Sequence, residues 1–599
     1  MGFLAQIKRE VRFLGALNNL LGGIKGISPD GPDLICDDFE RAVDRWPDNV
    51  AMICDGRQLT YREMDALANR YAHWAKGRRI KRGDTVALLL PNRLEYVAIW
   101  MGLAKIGVST ALINNNLTGK SLAHCLTLAG ADHIIADGDT WQAFEEVRGL
   151  LGRSAMLWVL GMSDADETSM RRGLDSAVKG ASTVRPDRAL RGDIKASAIA
   201  LYIYTSGTTG MPKAARITHA KAQLYMRAFA ATTRAQPADR VYCCLPLYHS
   251  TGGLCGVGAA ILTGGALVIR KRFSASLFWS DIVQNGCTIF VYIGELCRYL
   301  VNSPEHPQER QHKLRLAFGN GLRPEVWPVL QKRFNIPDIL EFYGSTEGNV
   351  SLFNFDSKPG AIGRIPGYLR GQFNIRLVKF DLEIGEPVRG PDGLCVEARP
   401  GEIGEAIGEI GHDPRHAFAG YADKAASEKK ILRDVFKVGD AFFRTGDLMR
   451  QDDGGYLYFV DRVGDTYRWK AENISTTEVA ERLASLPGVE EVNVYGVPVP
   501  GAEGKAGMAA IVAGEGFDIE ALKAHVDHEL PSYAQPVFVR LQSGIETTGT
   551  FKYTKTTLVA DGYAPPNSRD RIYYRHPEKG YVRLDKRALT KLQAGELKL

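Results

Sequence analysis

The sequence predicts an α/β protein: a large N-terminal domain of two parallel α/β lobes plus a small β subdomain, followed by a small α+β C-terminal domain. Three observations carry this. Between Val86 and Leu160, and again between Val241 and Phe342, short apolar runs alternate with stretches of helical period, the pattern of parallel strands covered by helices on both faces. After about Lys358, glycine and proline become frequent and the apolar runs short, which favours antiparallel β structure. Near Asp461-Arg462 the texture shifts again, into a mixed stretch long enough to fold alone. At 599 residues the chain exceeds one ordinary core, since roughly 100–200 residues make a domain.

Taken in order, residues 1–30 read as an amphipathic N-terminal segment. Leu4, Ile7, Val11, Leu14, Leu17, Leu21 and Ile24 recur at near-helical spacing, with Lys8, Arg9, Arg12 and Lys25 among them. Two readings stay open: a helix lying in a membrane surface, and the commoner helix packed on its own domain. From about Asp37 to Ala75, helices surround a short hairpin, Ala51–Cys54 and Gln58–Thr60, turned at Asp55-Gly56. Thr60-Tyr61-Arg62-Glu63 opens the next helix as a capping box. Strands follow at Val86–Leu90, Val108–Ile113, His133–Ala136 and Met156–Leu160, with helices at Leu94–Ile106 and Ser121–Ala129. A polar stretch, roughly Met162–Asp193, separates this half from the next. Strands resume at Ile199–Ile203, Val241–Leu245, Ala266–Ile269, Thr288–Tyr292, Leu314–Phe318 and Ile339–Phe342. The repeated glycines of Gly401–Gly411 read as turns and bulges of a small barrel. Ser475-Thr476-Thr477-Glu478 is a second capping box, followed by a helix with Val479, Leu483 and Leu486. Strands at Val489–Val497, Met508–Val512 and Val537–Leu541, with a helix from about Ile519 to Leu530, complete the last unit. The aromatic, basic residues from about Gly562 suggest no role.

A net charge of +6 is small for this length, and no basic-aromatic array accompanies it, so nucleic acid is not an expected partner. The nine cysteines are scattered without metal spacing, and Cys243-Cys244 sit in an apolar run. Neither a disulfide framework nor a zinc site is indicated, and a reducing cytoplasm is the simplest compartment. No run reaches the ~20 apolar residues of a membrane span, and no signal-peptide cleavage pattern is present.

The chemistry centres on Tyr204-Thr205-Ser206-Gly207-Thr208-Thr209-Gly210-Met211-Pro212-Lys213. An apolar strand leads into a loop of small and hydroxyl residues ending at a lysine, and the residues from His219 to Phe229 favour helix. Glycines admit a ligand close to the backbone, free N–H groups nest anionic oxygens, and Lys213 adds a point charge. A phosphate cradle and an ordinary surface turn are about equally compatible with the loop alone. It is not a Walker loop, because Pro212 and Ala214 flank the lysine. Gly319-Asn320-Gly321 begins like a dinucleotide fingerprint, but Pro324 stands where the third glycine belongs.

The loop resembles the signature of the adenylate-forming superfamily, which includes acyl-CoA synthetases, peptide-synthetase adenylation domains and luciferases. Four further stretches match in order: Tyr343-Gly344-Ser345-Thr346-Glu347, Thr445-Gly446-Asp447, Asp461-Arg462-Val463-Gly464-Asp465, and Thr548-Gly549-Thr550-Phe551-Lys552-Tyr553-Thr554-Lys555. The resemblance implies that Tyr343 flanks adenine, that Glu347, with Thr209, holds Mg²⁺, and that Asp447 accepts from the ribose hydroxyls. It implies that Arg462 contacts the ribose and phosphate region, with the pivot of a mobile C-terminal domain just after it, at Gly464 or Asp465. Lys552 aligns with the family's catalytic lysine, and Lys555 is the alternative. Lys213 joins it in catalysis. Thr205, Ser206, Gly207, Thr208, Thr209, Gly210, Gly319, Asn320, Gly321, Gly344, Ser345 and Thr346 complete the implied nucleotide site. His249, in Pro246-Leu247-Tyr248-His249, reads either as a group near the acyl carboxylate or as a histidine donating to backbone.

Gly319-Asn320-Gly321-Leu322-Arg323-Pro324-Glu325-Val326-Trp327, Tyr292–Tyr299, Glu341–Asn349 and Tyr467–Asn473 are similar to the fatty acid transport protein / very-long-chain acyl-CoA synthetase branch. So is the Gly-Thr-Phe-Lys form of the lysine motif. The resemblance runs from about Phe39 to the C-terminus. It implies an AMP-binding domain over residues 31–461 and a lid domain over 462–599. It implies a ligase that joins a long-chain or very-long-chain fatty acid to coenzyme A, using ATP and Mg²⁺, through an acyl-adenylate. A bile-acid or sterol-type carboxylate, transfer to a carrier protein, and a membrane uptake protein are the alternatives. The protein is then cytoplasmic, with peripheral membrane contact through residues 1–27 an open possibility; some members of the branch span the membrane, which the short segment here does not support.

Overall fold

The computed structural model describes residues 3–162, 166–205, 211–382, 384–469, 472–500, 504–547, 553–564, 569–576 and 578–597. Helix α1 (Phe3–Gly23) and helix α2 (Ile35–Arg45) precede a hairpin of β1 (Val50–Cys54) and β2 (Arg57–Thr60). The hairpin turns at Asp55-Gly56, both at positive φ. Helix α3 (Tyr61–Gly77) opens on the expected box, Thr60 Oγ1 accepting from Glu63 N while the Glu63 carboxylate accepts from Thr60 N. Strands β3 (Thr85–Leu89), β4 (Ser109–Leu112), β5 (His133–Asp137), β6 (Met156–Leu160) and β7 (Arg171–Gly173) alternate with α4 (Glu95–Lys105), α5 (Gly119–Ala129) and α6 (Trp141–Val147). After α7 (Leu174–Lys179) come β8 (Ile199–Thr205), β9 (Lys213–Thr218) and α8 (His219–Thr232). The second run contains β10 (Arg240–Cys243), β11 (Ala266–Ile269), β12 (Ile289–Ile293), β13 (Leu316–Asn320), β14 (Asp338–Gly344) and β15 (Ser351–Phe353).

Two large sheets result. One has the order β7-β6-β5-β3-β4-β8-β9 and is parallel apart from β9. The other has the order β15-β14-β13-β12-β10-β11-β1-β2, parallel except at its two end strands. The lobes are therefore not divided where the polar stretch suggests. The β8–β9 pair closes the first sheet, and the early hairpin joins the second. The loop ending at Lys213 connects two antiparallel strands, where a strand-to-helix loop is expected from sequence; its helix begins only after β9.

The polar stretch is itself structural. It supplies β7 and α7, and its arginines reach back to the first helices. Arg185 meets Asp44 and Asp65, and Arg191 meets Asp37. Asp65 on α3 also accepts from Lys105 Nζ at 2.5 Å, and Lys105 pairs with Glu40 on α2 at 2.9 Å. Lys105 is buried on the otherwise apolar face of α4, so these carboxylates compensate its desolvation.

The β subdomain consists of β16 (Gly363–Arg364), β17 (Arg376–Asp381), β18 (Glu386–Pro387), β19 (Ile403–Glu409), β20 (Ile431–Arg433), β21 (Ala441–Gln451) and β22 (Tyr456–Arg462). The order β16-β22-β21-β19-β17-β18, with β20 beside β21, is an open antiparallel sheet among the described residues, not the small barrel expected. Its glycines are only partly turns. Gly401 turns at positive φ, and the register slips between Glu405 and Ile407. Gly404 and Gly408, however, lie inside β19. A Cβ on Gly408 would come within 2.3 Å of Asn349 Oδ1, so that glycine is required by a neighbour's approach.

The last unit holds the two-stranded pair β23 (Tyr467–Trp469) and β24 (Glu472–Ile474). Its main sheet contains β25 (Val489–Pro498), β26 (Lys505–Ala513), β27 (Phe538–Gln542), β28 (Arg571–His576) and β29 (Gly580–Arg583), in that order. The basic, aromatic tail thus has a role: it adds two strands and the helix Lys586–Gln593, burying Tyr574, Tyr581 and Leu592.

Lys105→Ala should lower stability by about 3–5 kcal/mol, because it leaves Asp65 and Glu40 short of a buried partner. Urea unfolding followed by tryptophan fluorescence measures this. An unchanged midpoint would mean that Arg185 alone satisfies both carboxylates.

Candidate active site

The carboxyl ends of parallel strands are where open α/β sheets bind ligands, and the sequence motifs fall there. Gly319 and Asn320 end β13, and Gly321 follows at positive φ; Tyr343 and Gly344 end β14, and Thr205 ends β8. One buried carboxyl fixes two of these ends. Glu341 accepts from Tyr292 Oη of β12, and from Leu322 N at 3.1 Å. The turn after β13 also lies against the helix Gly294–Asn302: a Cβ on Gly294 would lie 1.6 Å from Gly321 O.

The segment after β14 is irregular backbone inside the molecule, so its carbonyls need donors. Tyr225 Oη donates to Ser345 O at 2.8 Å. Lys221 Nζ donates to Glu347 O at 2.6 Å and to Gly348 O at 2.7 Å. Both donors lie on α8. Burial lowers the Lys221 ammonium to about 8, opposed by the Glu347 charge. Thr346 Oγ1 and Ser250 Oγ are 3.0 Å apart. Glu347 Oε1 accepts from Tyr421 Oη at 2.6 Å.

A second cluster faces the first. Tyr343 Oη donates to Asp447 Oδ2 at 2.5 Å, and Arg462 Nε lies 3.4 Å from Asp447 Oδ1. Asp447 and Arg462 are directly paired between β21 and β22. Lys430 Nζ donates to Thr445 O at 3.0 Å. Burial lowers the Lys430 ammonium, opposed by Glu347, Asp447 and Glu405. Glu405, buried within β19, accepts from Gly446 N and pairs with Arg444.

Lys213 begins β9 opposite Thr205, with Nζ 5.6 Å from the centre of the Tyr421 ring. Tyr421 is held across from it by backbone bonds, Arg216 N to Gly420 O and Ala422 N to Ala214 O. Ser206, Gly207, Thr208, Thr209, Gly210 and Lys552 lie outside the described residues. Tyr553, next to Lys552, donates from Oη to Glu295 Oε1 at 3.1 Å and accepts from Arg298 Nη2 at 3.3 Å. The segment following Lys552 is thereby docked on the helix that begins after β12. The alternative lysine is engaged elsewhere: Lys555 Nζ donates to Thr476 Oγ1 at 2.6 Å and lies 3.4 Å from Asp465. His249 packs its ring against Tyr248, with centroids 4.5 Å apart. It borders the site through its neighbour Ser250 rather than lining the adjoining cavity.

That cavity has a volume of about 160 Å³, and Tyr343, Gly344, Ser345, Ser250 and Thr251 are among the residues that line it. Phe229, Phe342 and Phe353 line its interior, with Phe13, Leu17 and Leu20 of α1 across from them. The structure thus brings together Thr205, Lys213, Gly344, Ser345, Thr346 and Glu347 on one side and Tyr343, Asp447 and Arg462 on the other. Sequence reasoning misses Lys221, Tyr225, Tyr421 and Lys430. Lys221 carries a visible signal, a lone lysine on the helical face of Leu224, Tyr225 and Ala228; Tyr421 and Lys430 lie in irregular segments that carry none.

A family model described as AMP-binding enzyme matches residues 39–405, and one for the AMP-binding enzyme C-terminal domain matches residues 478–552. The fold is similar to that of an anthranilate–CoA ligase solved with anthranoyl-AMP, at a TM-score of 0.73 and 21% identity over 88% of this chain and 97% of that one. Fold and motifs together define an adenylate-forming, AMP-binding enzyme. The chain is 41% identical over 577 residues to long-chain fatty acid transport protein 1 of Mus musculus, covering 94% of this chain and 88% of that protein. It is 40% identical over 585 residues to long-chain fatty acid transport protein 2 of Rattus norvegicus, covering 96% and 93%. Within the AMP-binding enzymes, the chain belongs to the long-chain fatty acid transport protein family.

Burial raises the Glu341 carboxyl from its ordinary 4.5 to about 8, against hydrogen bonds from Tyr292 and Leu322 N. A carboxyl raised by folding gives stability that is complete below 4.5 and is lost as pH rises through about 8. Glu341→Gln, which cannot ionise, should flatten the thermal midpoint across that window. A variant that keeps the wild-type slope would remove Glu341 as its source.

Proposed function

We propose that the protein is an AMP-forming ligase joining a long-chain or very-long-chain fatty acid to coenzyme A. The observation that carries this reading is the largely apolar cavity lined in part by Tyr343–Ser345, the segment that also leads to Glu347 and touches Asp447. An acid whose chain fills the cavity presents its carboxylate beside the nucleotide residues. The names of the relatives, long-chain fatty acid transport proteins, agree with such a substrate.

In the first step a carboxylate oxygen attacks the α-phosphorus of ATP. The bond to the β-phosphate oxygen breaks, and pyrophosphate leaves with the electron pair. Thr205–Lys213 cradles the leaving phosphates, Asp447 accepts from the ribose hydroxyls, and Tyr343 borders adenine. Gly319-Asn320-Gly321 and Gly344-Ser345-Thr346 line the remaining nucleotide surface. Lys552, with Arg462 and Lys213, neutralises charge gathering on the transferring phosphate. The donors suit Mg²⁺, which takes one or two carboxylates plus substrate phosphates: Glu347 is a single carboxylate beside that cradle, and with Thr209 it would hold the ion, which supplies charge neutralisation when bound. In the second step the coenzyme A thiolate attacks the acyl carbon, and AMP leaves. The unit from residue 462 to 599 turns about the segment after Arg462 and withdraws Lys552. Gly464, at positive φ, and Asp465, which meets Lys555, are the pivot candidates. His249, next to Ser250, is assigned a place near the acyl carboxylate.

Product analysis with ATP and a series of acids, with and without coenzyme A, tests this reading. Acyl-CoA, AMP and pyrophosphate are expected. Acyl-adenylate accumulating despite coenzyme A would indicate a carrier-protein acceptor, and turnover only of bile or sterol acids would replace the substrate. Lys552→Ala should slow adenylate formation by about 10²–10³-fold while sparing thioester formation from supplied acyl-adenylate. If Lys555→Ala does this instead, Lys555 takes the role.

We further infer a cytoplasmic protein that touches membranes peripherally through residues 1–27. Among the described residues, no helix is long and apolar enough to cross a membrane. The outward side of α1 carries Leu4, Ile7, Val11 and Leu14, all exposed, alongside Lys8. Such a face suits an anionic bilayer. Leu4→Ser, Val11→Ser and Leu14→Ser together should weaken sedimentation with phosphatidylserine vesicles several-fold. Equal sedimentation would reject this contact.

A further inference from the structure

We propose that α1 is the yielding wall of the acyl cavity and that Leu17 and Leu20 set the chain length accepted; this rests on the ligase reading above. Phe13, Leu17, Leu20 and Leu21 fall on one face of α1 at helical spacing, and all four line the cavity with Ile24 just beyond the helix end. The other walls are Tyr225 and Phe229 of α8, Phe342 and Phe353 of the sheet, and two loops of the β subdomain, Gln372–Asn374 and Pro414–Ala417, which are tied to Asn349 by Asn374 Nδ2 donating to Asn349 O and Asn349 Nδ2 donating to His416 O. One helix thus divides its apolar residues between two surroundings, Leu4, Val11 and Leu14 outside and Leu17 and Leu20 within.

The cavity holds about 160 Å³, below the roughly 300–1,000 Å³ of pockets that enclose a drug-sized ligand. A long acyl chain therefore needs a wall to give way. Phe342 and Phe353 belong to β14 and β15, which are bonded to each other, with β14 bonded onward to β13. Helix α8 leads from β9 and supplies Lys221 and Tyr225 to the nucleotide segment. Moving the sheet, α8 or the loops bonded to Asn349 would disturb the reacting end. Helix α1 has no strand ladder to break and is fastened by side chains. Glu10 pairs with the buried Arg364 at 2.7 Å and accepts from Tyr368, and Arg12 pairs with Asp338 at 2.7 Å. Phe13 lies between Phe355 and the Arg364 guanidinium. At its other end α1 touches α8 directly: a Cβ on Gly23 would lie 2.5 Å from Ala231 Cβ. The helix is thus seated at Gly23 and latched at Glu10 and Arg12. Leu21 also lines the cavity while remaining exposed.

The test uses the full chain with ATP and coenzyme A and a series of saturated acids from octanoate to behenate. Leu17→Trp should lower kcat/KM for palmitate and longer acids by about tenfold or more, while octanoate and the KM for ATP stay near wild type. The double variant Leu17→Ala, Leu20→Ala should move the optimum toward longer acids, and it reads the same wall should the tryptophan variant fail to fold. Equal changes for every acid, or an unchanged profile in the alanine pair, would overturn the proposal. A wild-type enzyme that activates none of the acids would instead overturn the ligase reading, and this inference with it.

Discussion

The segment from Gly344 to Asn349 must run as irregular backbone through the interior, and everything around it answers that requirement. Unpaired buried carbonyls cost on the order of 1–3 kcal/mol each. Helix α8 supplies the donors: Tyr225 to Ser345, Lys221 to Glu347 and Gly348. Asn349 extends the same logic into the β subdomain, donating to Glu409 O and His416 O, and it is this side chain that requires glycine at position 408. The segment is thus the joint at which the second sheet, α8 and the β subdomain are fixed relative to one another. That rigidity lets Glu347 and Tyr343 present side chains to opposite halves of one site.

The charges follow from this frame. Glu347, Asp447 and Glu405 are buried carboxylates, and Lys213, Lys221, Lys430, Arg444 and Arg462 are cations near them. Each desolvated charge needs a partner, yet a nucleotide must also find unspent donors and acceptors. The compromise is visible in the hydroxyls. Tyr421 and Tyr343 each donate a single bond to a carboxylate. A phenol neutralises no charge, so it steadies the carboxylate without cancelling the field a phosphate or metal would feel.

Much of this was legible in sequence. Strand and helix alternation gave the class of fold, and Tyr343, Glu347, Asp447 and Arg462 were named from ordered motifs that the structure draws into one region. Topology was less legible, for a physical reason. Periodicity reports which residues are buried, not which neighbour a strand pairs with, so the placement of β1 and β2 in the second sheet and of β8 and β9 in the first was invisible. The polar stretch misled because its arginines look like a solvated linker; only the distant carboxylates of Asp44, Asp65 and Asp37 make them structural. Lys221 and Lys430 eluded reading because their partners are carbonyls and charges far away in sequence. The glycines of β19 are only half legible, since a glycine required by a neighbour's side chain looks in sequence like one required by a turn.

The N-terminal helix packs on its own domain through Phe13 and Ala16, and its outward side is what motivates the proposed bilayer contact. Phe13 and Ala16 are buried while Leu4 and Val11 are exposed, so both faces are used along one length. A helix with an apolar side in the cavity and another outward cannot satisfy both in water, because the outer leucines stay hydrated. Contact with a lipid surface would relieve the outer face without disturbing the inner. A helix held to the body by Glu10 and Arg12 also gains freedom if those pairs are loosened at a charged surface. If both proposals hold, access to the cavity and contact with a bilayer are two consequences of one helix, and the acid, itself a membrane-soluble molecule, would meet the enzyme at the wall it must pass.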